Sequence, residues 1–143
     1  MQIELLVPGV AVAKQSAKFT QVGGYIKSYQ KKHVVDYANY VKTLFIKEYP
    51  NHNIVDFKGK MLSIWIKEYR LIPKSKSKKF HKQAIEGLLR PITKPDTDNI
   101  AKNIKDALNK LAYPDDSQIV CEHIEKFYSD NPRVEIKIEV VNG

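Results

Sequence analysis

The chain has 143 residues, and its 24 lysines and arginines outnumber its 16 aspartates and glutamates, which gives a formal net charge of +8. This length suits a single domain with a substantial core, and a hydrophobic content of 43% excludes a wholly disordered chain. A lone cysteine, Cys121, excludes both an intramolecular disulfide and a multi-thiolate zinc cluster within one chain. The pI near 9.4 makes nucleic acid a serious candidate partner.

The beginning of the chain lacks a basic segment followed by a long apolar run. No stretch approaches the roughly 18 consecutive apolar residues that a membrane-spanning helix needs. We therefore expect a cytoplasmic protein that makes no membrane contact.

The first third of the chain is predicted to contain a strand, an exposed loop or hairpin, and a helix. Ile3, Leu5 and Val7 alternate with other residues, which is the period of a strand. Residues 11–32 contain Gly23-Gly24 and scattered lysines without a sustained period, as exposed loops and hairpins do. Apolar residues then recur at helical spacing over residues 31–50.

The middle of the chain is predicted to hold a long strand followed by a basic arm. Residues 60–71 are rich in β-branched and aromatic side chains, which favours a strand that includes Trp65 in the core. Five lysines follow between Lys74 and Lys82, and a short helix-compatible patch ends near Gly87. A connection of this length without a strand either binds something or is disordered. We expect a flexible basic arm over residues of about 73–94.

The last third is predicted to hold the second main helix and two strands. Residues 100–111 place apolar side chains on one stripe of a helix. Residues 117–128 have strand-like composition, with Cys121 expected to be buried, and residues 133–141 alternate almost perfectly. The link between these two strands is too short for a crossover. The prediction is therefore one α+β domain over residues 1–143, with a mixed or antiparallel sheet and two main helices.

Four aspartates flank the predicted second helix. Asp96 and Asp98 precede or open it, where a carboxylate can cap the helix and interact with its dipole. Asp115 and Asp116 follow the helix in a turn. A helix of about 13 residues is roughly 20 Å long, so the spacing alone does not establish a shared site.

If these carboxylates do meet, their mutual repulsion requires a compensating cation. Clustered carboxylates without histidine or cysteine select Mg²⁺ or Mn²⁺, which can activate water and polarise a phosphodiester. Lys102 lies one helical turn after Asp98. Lys102 either forms a surface ion pair with Asp98 or provides a fixed positive charge beside a phosphate.

The stretch KPDTDNIAKNIKDALNKLAYPDDSQI resembles the RusA family of Holliday junction resolvases. The family pattern combines an Asp-x-Asp-Asn start, a lysine four residues later, an Asp-Ala-Leu-Asn helix and an Asp-Asp-x-Gln strand entry. The matching positions are Asp96, Asp98, Asn99, Lys102, Asp106, Ala107, Leu108, Asn109, Asp115, Asp116 and Gln118.

The resemblance implies a homodimeric, Mg²⁺-dependent nuclease, encoded by a bacterium or phage, that makes paired nicks in four-way DNA junctions during recombination and repair. It implies that Asp96, Asp98 and Asp116 are essential metal ligands, with Asp115 beside them, and that Lys102 is an essential basic side chain. Mn²⁺ is an alternative metal.

The basic segments are expected to bind the phosphates of such a junction. The candidate DNA-binding residues are Lys14, Lys18, Lys74, Lys76, Lys78, Lys79 and Lys82. Two alternatives remain open: a non-catalytic protein that binds branched DNA and uses the aspartates as caps, and a nuclease that acts on other branched or flap DNA.

Overall fold

The computed structural model describes residues 2–15 and 18–142. The strands in chain order are β1 (Gln2–Pro8), β2 (Lys18–Val22), β3 (Tyr25–Tyr29), β4 (Leu62–Leu71), β5 (Ile119–Ser129) and β6 (Arg133–Val140). The helices are α1 (Lys32–Glu48), α2 (Lys78–Ile85) and α3 (Thr97–Leu108). The predicted α+β class is confirmed, but α2 adds a third helix to the two that were expected.

The main sheet has the order β1-β6-β4-β5, and it is mixed. β4 pairs with β5 in parallel, whereas β6 is antiparallel to both β1 and β4. The short link between β5 and β6 does not form a hairpin, because the two strands lie on opposite sides of β4. Three extended residues span roughly 10 Å, which matches two strand spacings of about 4.8 Å.

The core lies between the sheet and helices α1 and α3. Val41 and Phe45 of α1 and Ile100 and Ile104 of α3 are at most 1% exposed, as expected for the apolar stripes of amphipathic helices. The alternate residues of β1, β4 and β6 form the other side of this core. The apolar stripes predicted for both main helices are therefore their buried faces.

The expected flexible arm contains α2. The Ser77 side chain accepts a hydrogen bond from the Phe80 backbone N–H at 3.1 Å, which caps the start of this helix. The Phe80 ring packs edge-on against Tyr128, and His81 Nε2 lies 2.9 Å from Asp130 Oδ1. These contacts attach the middle of the arm to β5.

Strands β2 and β3 form a hairpin that is separate from the main sheet. Gly23 and Gly24 connect them with φ of 55° and 88°, and two consecutive positive φ values are those of a tight two-residue hairpin turn. All ten strand residues are exposed. The loop or hairpin predicted for this segment is thus a hairpin.

Cys121 is exposed, so the expectation that it is buried was wrong. The reason is its position on β5, which is an edge strand with a partner on one side only. Among the described residues, no helix is long and apolar enough to span a membrane.

Candidate active site

The start of α3 carries an aspartate whose carboxylate does not cap the helix. Asp96 occupies the N-cap position with φ of −71° and ψ of 152°, and its backbone carbonyl accepts the Ile100 N–H at 3.2 Å. Its exposed side chain accepts no capping hydrogen bond from the helix. The capping explanation for this carboxylate therefore fails, and its oxygens are accessible to a ligand.

Asp98 lies in the first turn of α3, where a negative charge is favoured by the helix dipole. Its Oδ2 is 3.1 Å from Lys102 Nζ, and the two side chains are 72% and 55% exposed. An exposed pair of this kind contributes only about 0.3–0.5 kcal/mol. The pair can therefore separate at little cost when either group meets a better partner.

The segment before α3 is held in place by a buried ionic network that the sequence analysis missed. Arg70 donates from Nη1 to the carbonyls of Thr93 and Lys94 at 3.0 and 3.1 Å, and from Nη2 to Glu68 Oε1 at 2.5 Å. Lys126 Nζ also donates to the Thr93 carbonyl at 3.0 Å. Glu68 is 2% exposed. This network fixes the chain one to three residues before Asp96.

One sequence signal could have revealed this network. Glu68 continues the inward-facing alternation of Ile64 and Ile66, which puts a carboxylate at a core position of β4. Buried carboxylates are rare unless they are paired, so an acidic residue in this phase predicts a buried cation nearby.

At the other end of α3, hydrogen bonds fix the second acidic pair. Asn109 Oδ1 accepts the Asp116 backbone N–H at 3.0 Å. Gln118 Nε2 donates to the carbonyls of Phe57 and Lys60 at 2.7 and 2.9 Å, and its Oε1 accepts the Asp115 backbone N–H at 3.2 Å. The Asp-Asp-x-Gln stretch therefore ties the end of this helix to the loop before β4.

The Asp115 carboxylate accepts a hydrogen bond from the Ser117 hydroxyl at 2.6 Å. This hydrogen bond, together with the nearby Lys110 charge, lowers the pKa of Asp115 below its ordinary value of 3.8. The Asp116 side chain is half-buried, and it forms no ion pair within the described residues. Of this pair, Asp116 therefore has the side chain that is more available to a ligand.

Tyr113 lies behind this second acidic pair. Its hydroxyl donates to the Lys105 carbonyl at 2.9 Å, and its ring is fully buried. Burial raises the pKa of Tyr113 far above its ordinary value, and the charge of Asp116 raises it further. Tyr113 is thus a neutral hydrogen-bond donor that fastens the turn to α3.

The structure does not gather the aspartates into one cluster. In residues 2–15 and 18–142, no group of three histidine, cysteine, aspartate or glutamate side chains is placed to hold a metal ion. α3 has 12 residues, which corresponds to about 18 Å of helix between the two acidic pairs. Asp96 and Asp98 share one end of the helix, and Asp115 and Asp116 share the other.

The loop between β1 and the hairpin lies along α3. The Lys14 backbone N–H donates to the Asn99 carbonyl at 3.0 Å, and its side chain forms an ion pair with Asp106. Buried Asn103 donates from Nδ2 to the Val12 carbonyl at 2.8 Å. A cleft next to this loop is lined by Asp96, among other residues. Because of its ion pair, the ammonium group of Lys14 is directed toward Asp106.

The other predicted DNA-binding lysines lie on the surface. Lys18 is exposed on β2. The five exposed lysines of the arm are Lys74, Lys76, Lys78, Lys79 and Lys82. None of these six forms an ion pair within the part of the chain that the structure describes. Their ammonium groups are therefore accessible from solution.

Comparison with known protein families identifies the family of this chain. Residues 8–139 match the family described as Endodeoxyribonuclease RusA. The chain belongs to the RusA endodeoxyribonuclease family. The match spans every element from the end of β1 through most of β6, so it covers the acidic pairs, the hairpin and the arm together.

Two relatives of this RusA-family chain align with shorter segments. The "Uncharacterized protein YqaN" of Bacillus subtilis (strain 168) is 55% identical over 76 residues, which is 52% of this chain and 54% of that protein. The "Crossover junction endodeoxyribonuclease rusA" of Lactococcus phage r1t is 44% identical over 50 residues, 34% of this chain and 38% of that protein. The chain thus spans about half of the first relative and less of the second.

Proposed function

We propose that the protein is a Mg²⁺-dependent endodeoxyribonuclease that resolves four-way DNA junctions by paired, symmetric nicks during recombination and repair, in the bacterial cytoplasm. The observation that carries this proposal is the Asp96 carboxylate, which stands at the N-cap of α3 without a capping role, next to exposed Asp98. Membership of the RusA family and the printed name of the phage relative support the reaction class.

The donor set at the start of α3 suits Mg²⁺. This ion keeps several waters and is usually held by one or two carboxylates together with substrate phosphates, so a protein cage of three carboxylates is unnecessary. Asp96 and Asp98 would hold it, and Mn²⁺ would fit the same oxygen ligands. When bound, the ion polarises the scissile phosphate and lowers the pKa of a bound water.

Lys102 supplies the positive charge beside the reacting phosphate. Its ion pair with Asp98 is exposed and weak, so the ammonium group can turn to a phosphate oxygen once DNA is bound. There it stabilises the negative charge that grows in the transition state. The Asp98 to Lys102 spacing of one helical turn keeps both groups on one face of α3.

Asp116 is the other carboxylate that we assign to a catalytic role, and the length of α3 separates it from Asp96 and Asp98 in the chain without DNA. Its backbone is fixed by Asn109 and its side chain has no ion-pair partner in the described residues, so it is available at the far end of α3. Asp115 acts beside it as a positioning residue, because its carboxylate already accepts the Ser117 hydroxyl.

Phosphate binding is assigned to Lys18 and to the lysines of the arm, which are exposed and unpaired among the described residues. Each lysine that neutralises a phosphate releases a counterion, so binding should weaken steeply with salt. Lys14 joins this set when DNA phosphate competes with Asp106 for its ammonium group.

A homodimer would match the two-fold symmetry of a four-way junction. We assign its contact to the outer face of the main sheet. Trp65 was expected in the core, but it is only half-buried on this outer face, where it stacks on His123 with ring centroids 3.8 Å apart. Tyr69 stacks on Phe127 at 5.2 Å. Charged residues of both signs share this face: Glu4, Lys67, Glu125, Glu135 and Lys137. A face that carries charges of both signs can complement a second copy of itself, whereas its carboxylates disfavour a polyanion.

Sedimentation equilibrium tests this contact with the double variant Lys67→Glu, Lys137→Glu. A dimeric wild type and a monomeric variant are expected, because the reversal turns both lysines of this face into charges that repel the glutamates of a second copy. The control Lys42→Glu changes an exposed residue of α1 and should remain dimeric. A monomeric wild type at high protein concentration would refute the dimer.

A second candidate function is branched-DNA binding without cleavage. The observation in its favour is the separation of the two acidic pairs by the length of α3. The experiment below distinguishes it from the proposed nuclease.

The experiment compares a labelled four-way junction with a flap substrate and a linear duplex of matched sequence, in Mg²⁺ or EDTA. Wild type should nick the junction symmetrically in Mg²⁺ only, and Asp98→Asn should bind it without nicking. The control Asp36→Asn removes a carboxylate from another exposed Asp-Lys pair at i,i+4 spacing, on α1, and should cleave normally. Tight binding by wild type without cleavage in Mg²⁺ or Mn²⁺ would refute the nuclease and support the non-catalytic binding protein. Faster cleavage of the flap than of the junction would make flap DNA the substrate.

A further inference from the structure

The β2–β3 hairpin displays large apolar side chains to solvent. Phe19 is 70% exposed, and Tyr25 and Ile26 are each 78% exposed. The hairpin forms its own two-stranded sheet and contributes no residue to the hydrophobic core. Large apolar groups exposed together on one element make it a candidate interaction surface.

The charge of this region identifies the chemistry of its partner. Residues 5–35 contain no aspartate or glutamate, and they include five lysines. Two of these lysines, Lys18 and Lys27, lie on the hairpin strands themselves. A surface that combines aromatic rings with lysines, and excludes acids over 31 residues, is complementary to nucleic acid.

The strand register separates the hairpin into two faces. Lys18 pairs with Tyr29, Thr20 with Lys27 and Val22 with Tyr25, so these six residues share one face. Phe19 and Ile26 lie on the other face. Tyr25 and Ile26 follow the turn directly, so both faces carry an apolar group at the tip.

Both ends of the hairpin are rooted beside the candidate active site. Before β2, Gln15 Nε2 lies 3.3 Å from His33 Nε2, and His33 lies in the first turn of α1, shortly after β3. Gln15 and His33 line the same cleft as Asp96 and Asn99. DNA with a phosphate at Asp96 therefore lies next to the base of the hairpin.

The hairpin is long enough to reach into such a substrate. Its strands have five residues each, which corresponds to about 17 Å from base to tip. A two-stranded ribbon of this kind fits a DNA groove about 12 Å wide. The tip can therefore contact bases several steps from the phosphate that is cleaved.

We propose that the hairpin is a base-contacting element that places Tyr25 and Ile26 against unstacked bases at the branch point, while Lys18 and Lys27 contact the flanking phosphates. This inference rests on the proposed function, because it takes branched DNA as the substrate. In a continuous duplex each base face is covered by its neighbours, so a ring can stack only where stacking is interrupted. The hairpin thereby favours a branch over a linear duplex.

Fluorescence of 2-aminopurine tests this contact in EDTA, where no cleavage occurs. One four-way junction carries the probe at the branch point, and a matched junction carries it in the middle of an arm. Wild type should change the fluorescence of the branch-point probe alone. The double variant Tyr25→Ala, Ile26→Ala should lose this change and bind the junction at least about fivefold more weakly, with linear duplex binding unaltered.

Two control variants sharpen this result. Ile46→Ala removes a comparably exposed side chain, 54% exposed, from α1, and should behave as wild type. Lys18→Ala with Lys27→Ala should weaken junction and duplex binding alike, since phosphate contacts carry no information about the branch. Thermal denaturation of all variants should match wild type, because every substituted side chain is exposed and outside the core.

The outcomes separate this inference from the proposed function. If the double variant at Tyr25 and Ile26 keeps the fluorescence change and the junction preference, the inference is overturned while the nuclease stands. If it instead alters self-association and leaves DNA binding intact, the hairpin docks on a second copy and the inference is again overturned. A wild type that shows the fluorescence change but never cleaves in Mg²⁺ supports the hairpin contact and refutes the nuclease.

Discussion

The two ends of α3 carry the same residue type in different states. At the N-terminal end the Asp96 carboxylate has no capping role and Asp98 has one exposed, weak partner. At the C-terminal end the Asp115 carboxylate accepts a hydroxyl, and the Asp116 backbone is held by Asn109. The difference shows that an acidic motif can combine groups left available for a ligand with groups that build the turn.

The largest expected effect is on the cleavage rate when a single carboxylate is replaced at either end of α3. Asp96→Asn should lower the cleavage rate in Mg²⁺ by about 10³-fold or more, since a metal contributes several kcal/mol to the transition state. Asp115→Asn should lower it less than about tenfold, because its oxygen already serves Ser117. Single-turnover cleavage of a junction measures both. Equal losses would mean that both ends bind the metal.

The next effect concerns the ion pairs that support each end. Glu68→Ala should destabilise the fold by about 3 kcal/mol, because it leaves the largely buried Arg70 charge unpaired. Glu122→Ala removes the partner of Lys105 behind the C-terminal end, where the side chains are 33% and 23% exposed, and should cost about 1 kcal/mol or less. Urea denaturation gives both values, and similar costs would contradict the distinction.

A smaller effect separates two lysines of the same helix. Lys102→Met should reduce kcat about 10- to 100-fold with little change in junction affinity, as expected for a charge that acts on the transition state. Lys105→Met should leave kcat within about threefold, because its partner is Glu122 at the other end. A loss of affinity rather than kcat for Lys102→Met would make Lys102 an ordinary phosphate contact.

The smallest effect is a titration at the C-terminal end. The Ser117 hydroxyl lowers the pKa of Asp115, so Ser117→Ala should raise that pKa toward 3.8. Because the folded-state pKa lies below the unfolded value, this group stabilises the fold above about pH 4 and loses its contribution as the pH falls through the folded-state pKa. Side-chain carboxyl ¹³C shifts across pH 2–6 measure the change, and an unchanged pKa would assign the shift to the Lys110 charge and the backbone N–H groups of Asp116 and Ser117 instead.

The sequence was sufficient for the elements whose periodicity reflects burial. The alternating residues of β1 and β6 and the helical stripe of α3 predicted both the elements and their buried faces. The helix α2 was harder to predict, because its only buried residue is Ala84 and its other positions are mostly lysine or polar. A short helix that packs through so few side chains leaves little periodic signal.

The pairing of the strands and the contacts that hold the candidate site could not be predicted, because both join residues that are far apart in the sequence. Proximity in sequence links β5 to β6, yet β4 lies between them, and the edge position of β5 exposed Cys121. The Asp96 and Asp98 pair could be located from the sequence, whereas the Arg70 contacts that hold it join residues more than 20 positions apart. The catalytic roles of these aspartates and of Lys102 stay predictions.

The hairpin turn also determines how the protein can vary. Gly23 and Gly24 close β2 and β3 outside the core, with pairing on one edge only. Adding one residue to each strand would extend the hairpin by about 3.3 Å and exchange the side chains that its two faces present at the tip. Members of the family could therefore change their reach along DNA, and the side chain offered to a base, without altering the sheet or the acidic residues.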